Sequence, residues 1–268
     1  MYKAGFIGCG NMGGTLASVA AKSVGGAKVI IADHHSEKLA QLKKAYGCVA
    51  GTAVEAAAES RFLFLGVKPQ VMGTAADEIR ETLAARKDSP VVVSMAAGMT
   101  ISAVSELLGG ARVIRIMPNT PAAVGEGVIL YCCDPSITAA EEEQFYELLK
   151  PAGILMKLPE EKIDAGSAIS GCGPAFVCLL VEAMTDAGVR CGLPRNQSKL
   201  LALQTFAGTA RLALDTGRDP ADLRAAVCSP AGSTIEGVVA LEDCGARSAI
   251  LAAVDAAYER TKELGKTK

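Results

Sequence analysis

The chain has 268 residues, half of them hydrophobic and 21% charged, with a formal net charge of −2. This length suits two domains with a sizeable core, and the near-neutral charge without a basic block excludes a nucleic-acid-binding surface. Nine cysteines lie scattered with no C-x-x-C pair and no neighbouring histidine, so we predict no metal site and reduced thiols in a cytoplasmic protein.

The first predicted element is a strand over Ala4–Ile7, followed by a glycine run and a helix over Thr15–Ala21. Glycine allows a tight turn at Gly8, close approach of a pyrophosphate at Gly10, and packing of helix against strand at Gly13. The start of a helix also offers free N–H groups to phosphates. A purely structural turn is the alternative, but the strand–helix context favours dinucleotide binding.

The alternation of strands and helices continues to residue 157. Further strands are predicted over Lys28–Ala32, Arg61–Val67, Pro90–Met95, Arg112–Met117, Val128–Tyr131 and Gly153–Lys157. Helices are predicted between them over Ser36–Tyr46, Thr52–Ala58, Pro69–Ala85, Thr100–Leu108 and Thr138–Leu149. This order indicates an α/β fold with a parallel sheet covered on both faces, whose ligands lie beyond the carboxyl ends of the strands.

After Pro159 the sequence predicts helices only, over Glu161–Ser170, Pro174–Cys191, Pro194–Thr216, Asp219–Val227, Thr234–Leu241 and Arg247–Leu264. We therefore predict domains at 1–157 and 158–268. Between Ala175 and Thr185 only Glu182 is charged, which indicates a helix buried on more than one side. Two interpretations stay open: a helix shared with a second subunit, or a central core helix. The longest uncharged stretch, 165–181, is too short and too interrupted to span a membrane.

Asp33 ends the second strand, where an acidic residue usually binds the ribose hydroxyls and favours NAD(H). His34, His35 and Ser36 follow directly and could donate hydrogen bonds to the 2′-phosphate of NADP(H). Alternatively, these residues only begin the next helix, with Ser36 as its N-cap. The residues alone leave the choice of cofactor open.

Three other strands end in residues typical of ligand loops: Lys68 and Pro69, then Ala96–Gly98, then Asn119–Pro121. Each could be structural, but three at one sheet edge favour a nicotinamide-sized pocket. No signal peptide is expected before the first strand.

The helical half contains CSPAGSTIEGV at 228–238, in which Ser233 and Glu236 fit a capping box. The start of such a helix, beside the hydroxyls of Ser229 and Thr234, is also a good receptor for a carboxylate. SGCGPAF at 170–176 is a second glycine-broken helix start, best interpreted as a close helix crossing. Both histidines lie at 34 and 35, so no imidazole is available in the second domain as a general acid or base.

Together these strings resemble the pyrroline-5-carboxylate reductase family, over nearly the full length: GFIGCGNM, FLFLGVKP, SMAAGMTI, RIMPNTPAAVGEG, SGCGPAF, GLPR and CSPAGSTIEGV. The resemblance implies a Rossmann-type doubly wound parallel sheet and a second, all-helical dimerisation domain. It implies a homodimer, with a pentamer of dimers as the larger assembly, and a substrate loop lent by the partner subunit. It also implies no contact with nucleic acid or membrane.

The resemblance further implies hydride transfer from NADP(H), with NAD(H) possible, to 1-pyrroline-5-carboxylate, giving L-proline. By motif position the substrate would be held by Ser229, Gly232, Ser233 and Thr234, with Thr234 as the catalytic residue. The cofactor would be held by Ile7, Gly8, Cys9, Gly10, Asn11, Met12, Gly13, Asp33, His34, His35, Gly66, Val67, Lys68, Pro69, Ala96, Ala97, Gly98 and Asn119.

The chain departs from the family pattern at a few positions. Ala231 replaces the first glycine of S-P-G-G-x-T, and Cys172 and Phe176 replace serine and tyrosine. Asp33-His34 stands where many NADPH-preferring relatives have Asn-Arg. Two other functions are the alternatives. A 3-hydroxyacid dehydrogenase would need a lysine four residues before an asparagine in the second domain, which is absent. A non-catalytic dinucleotide-binding regulator would not need the 228–238 string.

Overall fold

The computed structural model describes residues 1–266, in which there are eight strands and twelve α-helices. Contacts between Cα atoms group the chain into two compact units, which we call the sheet unit and the helical unit. The sheet unit comprises residues 1–171 and the end of the last helix from Ala257 onward, and the helical unit comprises residues 172–256. The predicted domain boundary after residue 157 stays a prediction; the helix that follows it has its contacts on the sheet.

The sheet contains all eight strands in the order β3-β2-β1-β4-β5-β6-β7-β8. Their bounds are β1 Tyr2–Ile7, β2 Val29–Ala32, β3 Val49–Ala50, β4 Ser60–Leu65, β5 Val91–Ser94, β6 Arg112–Pro118, β7 Gly127–Cys133 and β8 Gly153–Lys157. Every pair from β3 to β6 is parallel, which confirms the Rossmann-type sheet. The two-residue strand β3 was not predicted.

The sheet reverses once, between β6 and β7, which pair antiparallel, while β8 runs parallel to β7. The predicted parallel sheet is therefore confirmed except at the single antiparallel pair of β6 and β7, a reversal that was not predicted. The physical reason is the length of the connection, which contains only the short 3₁₀ helix Thr120–Val124. A parallel return needs a crossover of a dozen or more residues, whereas a short loop brings the next strand back antiparallel.

Seven helices cover the sheet within the described part of the chain: α1 Asn11–Val24, α2 Ser36–Tyr46, α3 Ala53–Glu59, α4 Met72–Ala84, α5 Ile101–Leu107, α6 Ala139–Leu149 and α7 Glu160–Ser170. Successive strand residues face opposite sides, so Phe6 belongs to one buried core and Ile7 to the other. The rings of Phe6 and Phe64 stack with centroids 4.4 Å apart. Both faces of the sheet are thus filled by this chain's own residues.

An ion-pair cluster fastens α6 to the sheet at the end opposite the glycine loop. The side chain of Glu141, 8% exposed, pairs with Arg61 on β4 and Arg112 on β6. Thr138 and Glu141 also form a capping box at the start of α6. The hydrogen bond from Arg112 outweighs burial and lowers the pKa of Glu141 to about 2. The cluster is therefore ionised across the physiological pH range.

The helical unit contains α8 Gly173–Arg190, α9 Arg195–Thr216, α10 Pro220–Val227, α11 Ser233–Asp243 and the first part of α12 Ala246–Lys266. Helices α8 and α9 pack closely: a Cβ at Gly188 would lie 2.1 Å from the Ser198 hydroxyl, which donates to the Thr185 carbonyl at 2.7 Å. Only Val181 and Thr185 of α8 are buried. The interpretation of α8 as a central core helix is thus wrong for the single chain.

The segment Glu160–Arg190 is long and apolar enough to cross a membrane, judged by length and composition alone. It consists of two helices, α7 and α8, separated by a turn at residues 171–172. Helix α7 packs on the sheet through the fully buried Ile163, against Met117 and Leu130. Helix α7, the first 11 of the 31 residues in this segment, therefore packs into the core of the sheet unit.

Candidate active site

The glycine loop between β1 and α1 joins three strand ends. Gly8 has φ +86° and donates to the Ala32 carbonyl at 2.8 Å, while Gly66 donates to Ile7 at 2.8 Å. A Cβ at Gly8 would lie 2.9 Å from the Gly66 carbonyl, and one at Gly13 would lie 2.0 Å from the Gly8 oxygen. Close backbone packing inside the protein is thus sufficient to explain these glycines.

Gly10 has no such internal reason to be glycine. A Cβ built there would meet nothing within 4 Å, and Gly10 is the N-cap of α1 without any side-chain cap bond. The first-turn N–H groups of a helix have no intrahelical partner, and the helix dipole there favours anions. Open space and free donors together fit a dinucleotide pyrophosphate. Gly10 and the first turn of α1 are the part of the predicted cofactor set with the clearest ligand-binding geometry.

Asp33, at the end of β2, is almost buried and bound by its own chain. Its side chain is 8% exposed. Oδ2 accepts from the Cys9 N–H at 2.6 Å, and Oδ1 accepts from the His35 N–H and contacts His35 Nδ1, each at 2.8 Å. Burial raises the pKa of Asp33, but the hydrogen bonds from His35 and Cys9 outweigh it, so the pKa is lowered. The carboxylate therefore fixes the glycine loop as well as His35.

The residues after Asp33 begin α2 one position earlier than the capping interpretation requires. His35 is the N-cap, without a side-chain cap bond, and Ser36 is the first helical residue. The interpretation of Ser36 as N-cap is therefore wrong. His34 and Ser36 are exposed, and the His35 side chain is 69% exposed. Polar groups of these three residues are thus accessible beside the sheet edge.

The other predicted cofactor residues follow adjacent strands at the same edge. Gly66 and Val67 after β4 are half-buried, and the exposed Lys68 precedes a 3₁₀ helix over Pro69–Val71. After β5, Ala96 is buried, while Ala97 and Gly98 are half-buried. Because β1, β4 and β5 are neighbours in the sheet, their carboxyl ends form one edge. Partial burial of these small residues leaves a shallow apolar surface there.

Asn119 is engaged inside the sheet unit. It is 7% exposed, donates through Nδ2 to the Ser170 carbonyl at 2.9 Å, and accepts from the Val128 N–H at 2.8 Å. These bonds tie the end of β6 to β7 and to the end of α7. The predicted contact of Asn119 with cofactor stays a prediction, and its internal bonds give it a structural role.

The predicted substrate residues surround the start of α11. Gly232 is its N-cap, without a side-chain cap bond, and Ser233 is its first helical residue. The predicted capping box of Ser233 and Glu236 is therefore wrong. Ser229, Ser233 and Thr234 are exposed. An uncapped helix start next to exposed hydroxyls can bind a carboxylate, whereas a capped one would have its first donors occupied.

Ala231, just before this helix, has φ +54°. The left-handed region costs an ordinary L-residue about 1–2 kcal/mol and is normally occupied by glycine. Because alanine stands here in place of the glycine of the family pattern, the backbone of Ala231 is strained. The strain lies in the loop that carries Ser229 and Gly232, and Gly232 donates to the Ser229 carbonyl at 3.0 Å.

The sequence interpretation missed a buried cation next to the 96–98 loop. Arg115 on β6 is 3% exposed and pairs with Asp164 at 2.5 Å and Glu160 at 3.6 Å, both on α7. Glu160 also accepts from the Ile101 N–H at 2.6 Å, at the start of α5. The cluster thus links α7 to the segment that follows Gly98. The sequence did contain one indication of this buried cation, because Arg115 is the charged residue within the otherwise apolar run Val113–Met117.

A cavity of about 1090 Å³ lies elsewhere in the sheet unit, between α5, the end of β7 and the end of β8. Its lining includes Ser105, Cys132 and Lys157, and none of the predicted site residues. Within residues 1–266 no group of three or more histidine, cysteine or acidic side chains could hold a metal ion. The cysteines at 9, 132 and 133 have pKa values raised mainly by burial, so their thiols are neutral.

Comparison with known families matches both parts of the chain. Residues 160–264 match the family described as pyrroline-5-carboxylate reductase dimerisation. Residues 3–98 match the family described as NADP oxidoreductase, coenzyme F420-dependent.

Individual proteins match along nearly the whole chain. Pyrroline-5-carboxylate reductase 3 of Danio rerio is 40% identical, covering 98% of this chain and 91% of its own length. Pyrroline-5-carboxylate reductase of Synechocystis is 38% identical, covering 98% of both. A crystal structure of Plasmodium falciparum pyrroline carboxylate reductase with NADP bound is 30% identical, with a TM-score of 0.87 over 99% of this chain and 98% of that one.

Proposed function

Because this chain belongs to the pyrroline-5-carboxylate reductase family, we propose that it reduces 1-pyrroline-5-carboxylate to L-proline, with NADPH favoured and NADH possible. The observation that best supports this proposal is the similarity to reductases over nearly the full length of the chain. The bound cofactor would supply a hydride to the imine carbon C5. The electron pair of the C=N bond then moves to nitrogen, which ends as the protonated amine of proline.

The helical unit would hold the substrate. In our proposal the free N–H groups at Ser233 and Thr234, with the Ser229 hydroxyl, bind the carboxylate, and Gly232 keeps the approach open. Thr234 hydrogen-bonds the ring nitrogen, its hydroxyl oxygen accepting from the N–H of the protonated imine, and is the catalytic residue. No histidine lies in this unit. An iminium ion protonated from solvent is already electrophilic, so orientation contributes more than acid–base catalysis.

The sheet unit would hold the cofactor. We propose that Gly8–Gly13 and the first turn of α1 bind the pyrophosphate, and that Asp33, His34 and His35 lie toward the adenosine ribose. Gly66–Pro69 and Ala96–Gly98, with Asn119 behind them, would border the nicotinamide. Two features support these roles: the open space at Gly10, and the shallow apolar surface at the carboxyl ends of β4 and β5.

We propose that the active form is a homodimer, assembled further as a pentamer of dimers, with the 229–234 loop lent to the partner's cofactor cleft. The dimerisation domain of the family supports the dimer. The exposed apolar side chains of α8 and α9 would then face a second subunit rather than lipid. We also propose a cytoplasmic location without contact to membrane or nucleic acid.

The test is an assay of the purified chain with 1-pyrroline-5-carboxylate and either NADPH or NADH. Loss of cofactor absorbance should match, mole for mole, the L-proline identified by chromatography. A parallel reaction with 3-hydroxyisobutyrate and the oxidised cofactors tests the dehydrogenase alternative, for which we expect no turnover. Cofactor loss without proline, or oxidation of the hydroxyacid, would reject the proposed function.

A further inference from the structure

The segment 96–101, which joins β5 to α5, makes long hydrogen bonds within itself. The Met99 N–H donates to the Ala96 carbonyl at 3.4 Å, and the Ala96 N–H donates to the Ser94 hydroxyl at 3.4 Å. N–H···O bonds in proteins usually measure about 2.7–3.2 Å. Gly98 lies between these residues with φ +73°. The side chains of Ala96 and Met99 are buried, but the backbone of the segment is weakly fixed by its own bonds.

A carboxylate from α7 supplies a much shorter bond at the end of this segment. Glu160 Oε1 accepts from the Ile101 N–H at 2.6 Å. The first N–H groups of a helix have no intrahelical partner, and the helix dipole favours a negative charge there, so this acceptor suits the start of α5. Hydrogen bonds to an ionised acceptor are about twice as strong as neutral ones. Glu160 therefore fixes the point at which the segment enters α5.

Glu160 is directed in turn by the buried Arg115. Nη1 of Arg115 lies 3.6 Å from Oε1 of Glu160, while Nη2 pairs with Asp164 at 2.5 Å. Asp164 therefore keeps Arg115 paired when Glu160 is replaced. The Glu160 side chain is 33% exposed and borders the cavity of about 1090 Å³, so water can reach its position. A substitution at Glu160 should thus leave the fold intact.

We propose that Glu160 is a positioning residue, which holds the 96–101 segment where Ala97 and Gly98 support the nicotinamide ring. The inference rests on the proposed function in taking a nicotinamide cofactor that this segment borders. The carboxylate acts through the backbone of Ile101 and needs no contact with the cofactor. Hydride transfer requires two carbon atoms at a defined separation, and a misplacement of about 1 Å can cost about 10²-fold in rate. A small shift of the segment would therefore slow the reaction.

The first measurement needs no cofactor. Hydrogen exchange of the whole chain, followed by mass spectrometry on peptides covering 96–104, compares Glu160→Ala and Glu160→Gln with the natural protein. We expect exchange at Ile101 to be about tenfold faster in Glu160→Ala, because one hydrogen bond is lost. Glu160→Gln keeps a carbonyl oxygen at the same reach and should restore most of the protection. The matched control is Glu161→Ala, at an exposed neighbour, which should exchange like the natural protein.

The second measurement locates the effect at the nicotinamide. The same variants are titrated with NADPH, followed by its fluorescence, and with 2′,5′-ADP, which lacks the nicotinamide, followed by calorimetry. Glu160→Ala should bind NADPH about fivefold more weakly and 2′,5′-ADP as the natural protein does. In the turnover assay its kcat should fall about tenfold, whereas the KM for 1-pyrroline-5-carboxylate should change less than about twofold. Glu160→Gln should recover most of the affinity and of kcat.

The inference is overturned if Glu160→Ala exchanges like the natural protein, weakens NADPH and 2′,5′-ADP equally, or keeps the natural kcat. It is also overturned if Glu160→Gln is as impaired as Glu160→Ala, because Glu160 would then act only through its charge next to Arg115. A natural chain that makes no proline would reject the proposed function instead. The exchange and the two titrations involve no substrate and would still decide the inference.

Discussion

The sheet unit and the helical unit differ in how much of their apolar surface and how many of their charged groups are covered or paired within the same unit. In the sheet unit both faces of the sheet are buried, and carboxylates such as Glu141 and Asp33 have their donors within the same unit. In the helical unit, Leu179 on α8 is 65% exposed and Leu200 on α9 is 67% exposed. Large contiguous apolar surfaces on a soluble protein mark interaction sites.

This difference shows how the residues proposed for cofactor and those proposed for substrate are each held in place. The glycine loop and the other strand ends are held by backbone bonds and packing of the sheet unit itself. The start of α11, in contrast, has exposed hydroxyls, an uncapped first turn and a strained neighbour. The proposed cofactor residues are therefore held by the sheet unit alone, whereas the helical unit leaves large apolar side chains exposed.

The largest expected effect comes from a charge on the apolar surface of the helical unit. Leu200→Glu should convert the proposed dimer to monomers and abolish activity, because the proposed symmetric interface would lose the leucine twice and bury two charges. Sedimentation equilibrium measures the assembly. The matched control is Val54→Glu on α3 of the sheet unit, where the side chain is 41% exposed, and it should leave the dimer intact. If the Leu200→Glu variant stays dimeric and fully active, the proposed difference between the two units is wrong.

The next effect concerns the self-contained sheet unit. The pKa of Glu141 falls from an ordinary 4.5 to about 2 in the folded chain. Its ion pairs therefore stabilise the fold fully above pH 4.5, and this is lost as pH falls toward about 2. Glu141→Gln should cost about 3 kcal/mol at neutral pH, measured by urea unfolding, and the difference from the natural protein should shrink on acidification.

Glu147 on the same helix provides the control, since its pair with Lys150 at 3.0 Å is about half exposed. Glu147→Gln should change the free energy of unfolding by less than about 1 kcal/mol. If both variants lower the free energy of unfolding equally, the buried ion pairs of Glu141 stabilise the fold no more than the exposed pair of Glu147 does.

The third prediction concerns the exposed site in the helical unit. Thr234→Ala should lower kcat/KM by about 10²-fold, or about 2.7 kcal/mol, through loss of one positioned polar contact. The melting temperature should not change, because Thr234 is exposed. Thr234→Ser keeps the hydroxyl and should restore most of the activity. Equal activities for the alanine and serine variants would remove Thr234 from the mechanism.

The smallest effect tests the strain before α11. Ala231→Gly relieves the φ of +54° and should raise the free energy of unfolding by about 1 kcal/mol or less, because the added flexibility of glycine offsets part of the gain. Ala240→Gly, inside α11, should instead lower it by about 1 kcal/mol. Thermal unfolding of both variants is the measurement. Destabilisation by both would show that Ala231 is not strained in solution.

Much of the sheet unit could be predicted from the sequence because its signals are local. Apolar runs and the spacing of glycines correctly predicted seven of the strands and the turn at Gly8. The direction of β7 was missed, since it depends on the length of the connection after Asn119 rather than on any strand residue. The two-residue strand β3 is too short to give a periodic signal.

The site was predictable where its residues are consecutive and less so where they are distant. Asp33 was recognised by its distance from Gly13, but its bond to Cys9 spans 24 residues and appears only in the folded chain. The capping box failed because Gly232 occupies the N-cap, a shift of one residue that changes which groups are free. Arg115, paired across 49 residues with Asp164, has no local signal for its partner.

The attachment of α7 to the sheet determines where the cofactor half could be separated from the rest. A fragment that stopped at residue 157 would strip both carboxylates from Arg115, whose Nε already has no partner while being buried. Leaving a buried charge without its partner lowers the free energy of unfolding by about 3–5 kcal/mol. A truncation designed to produce the sheet half alone should therefore end after Gly171, so that α7 is kept.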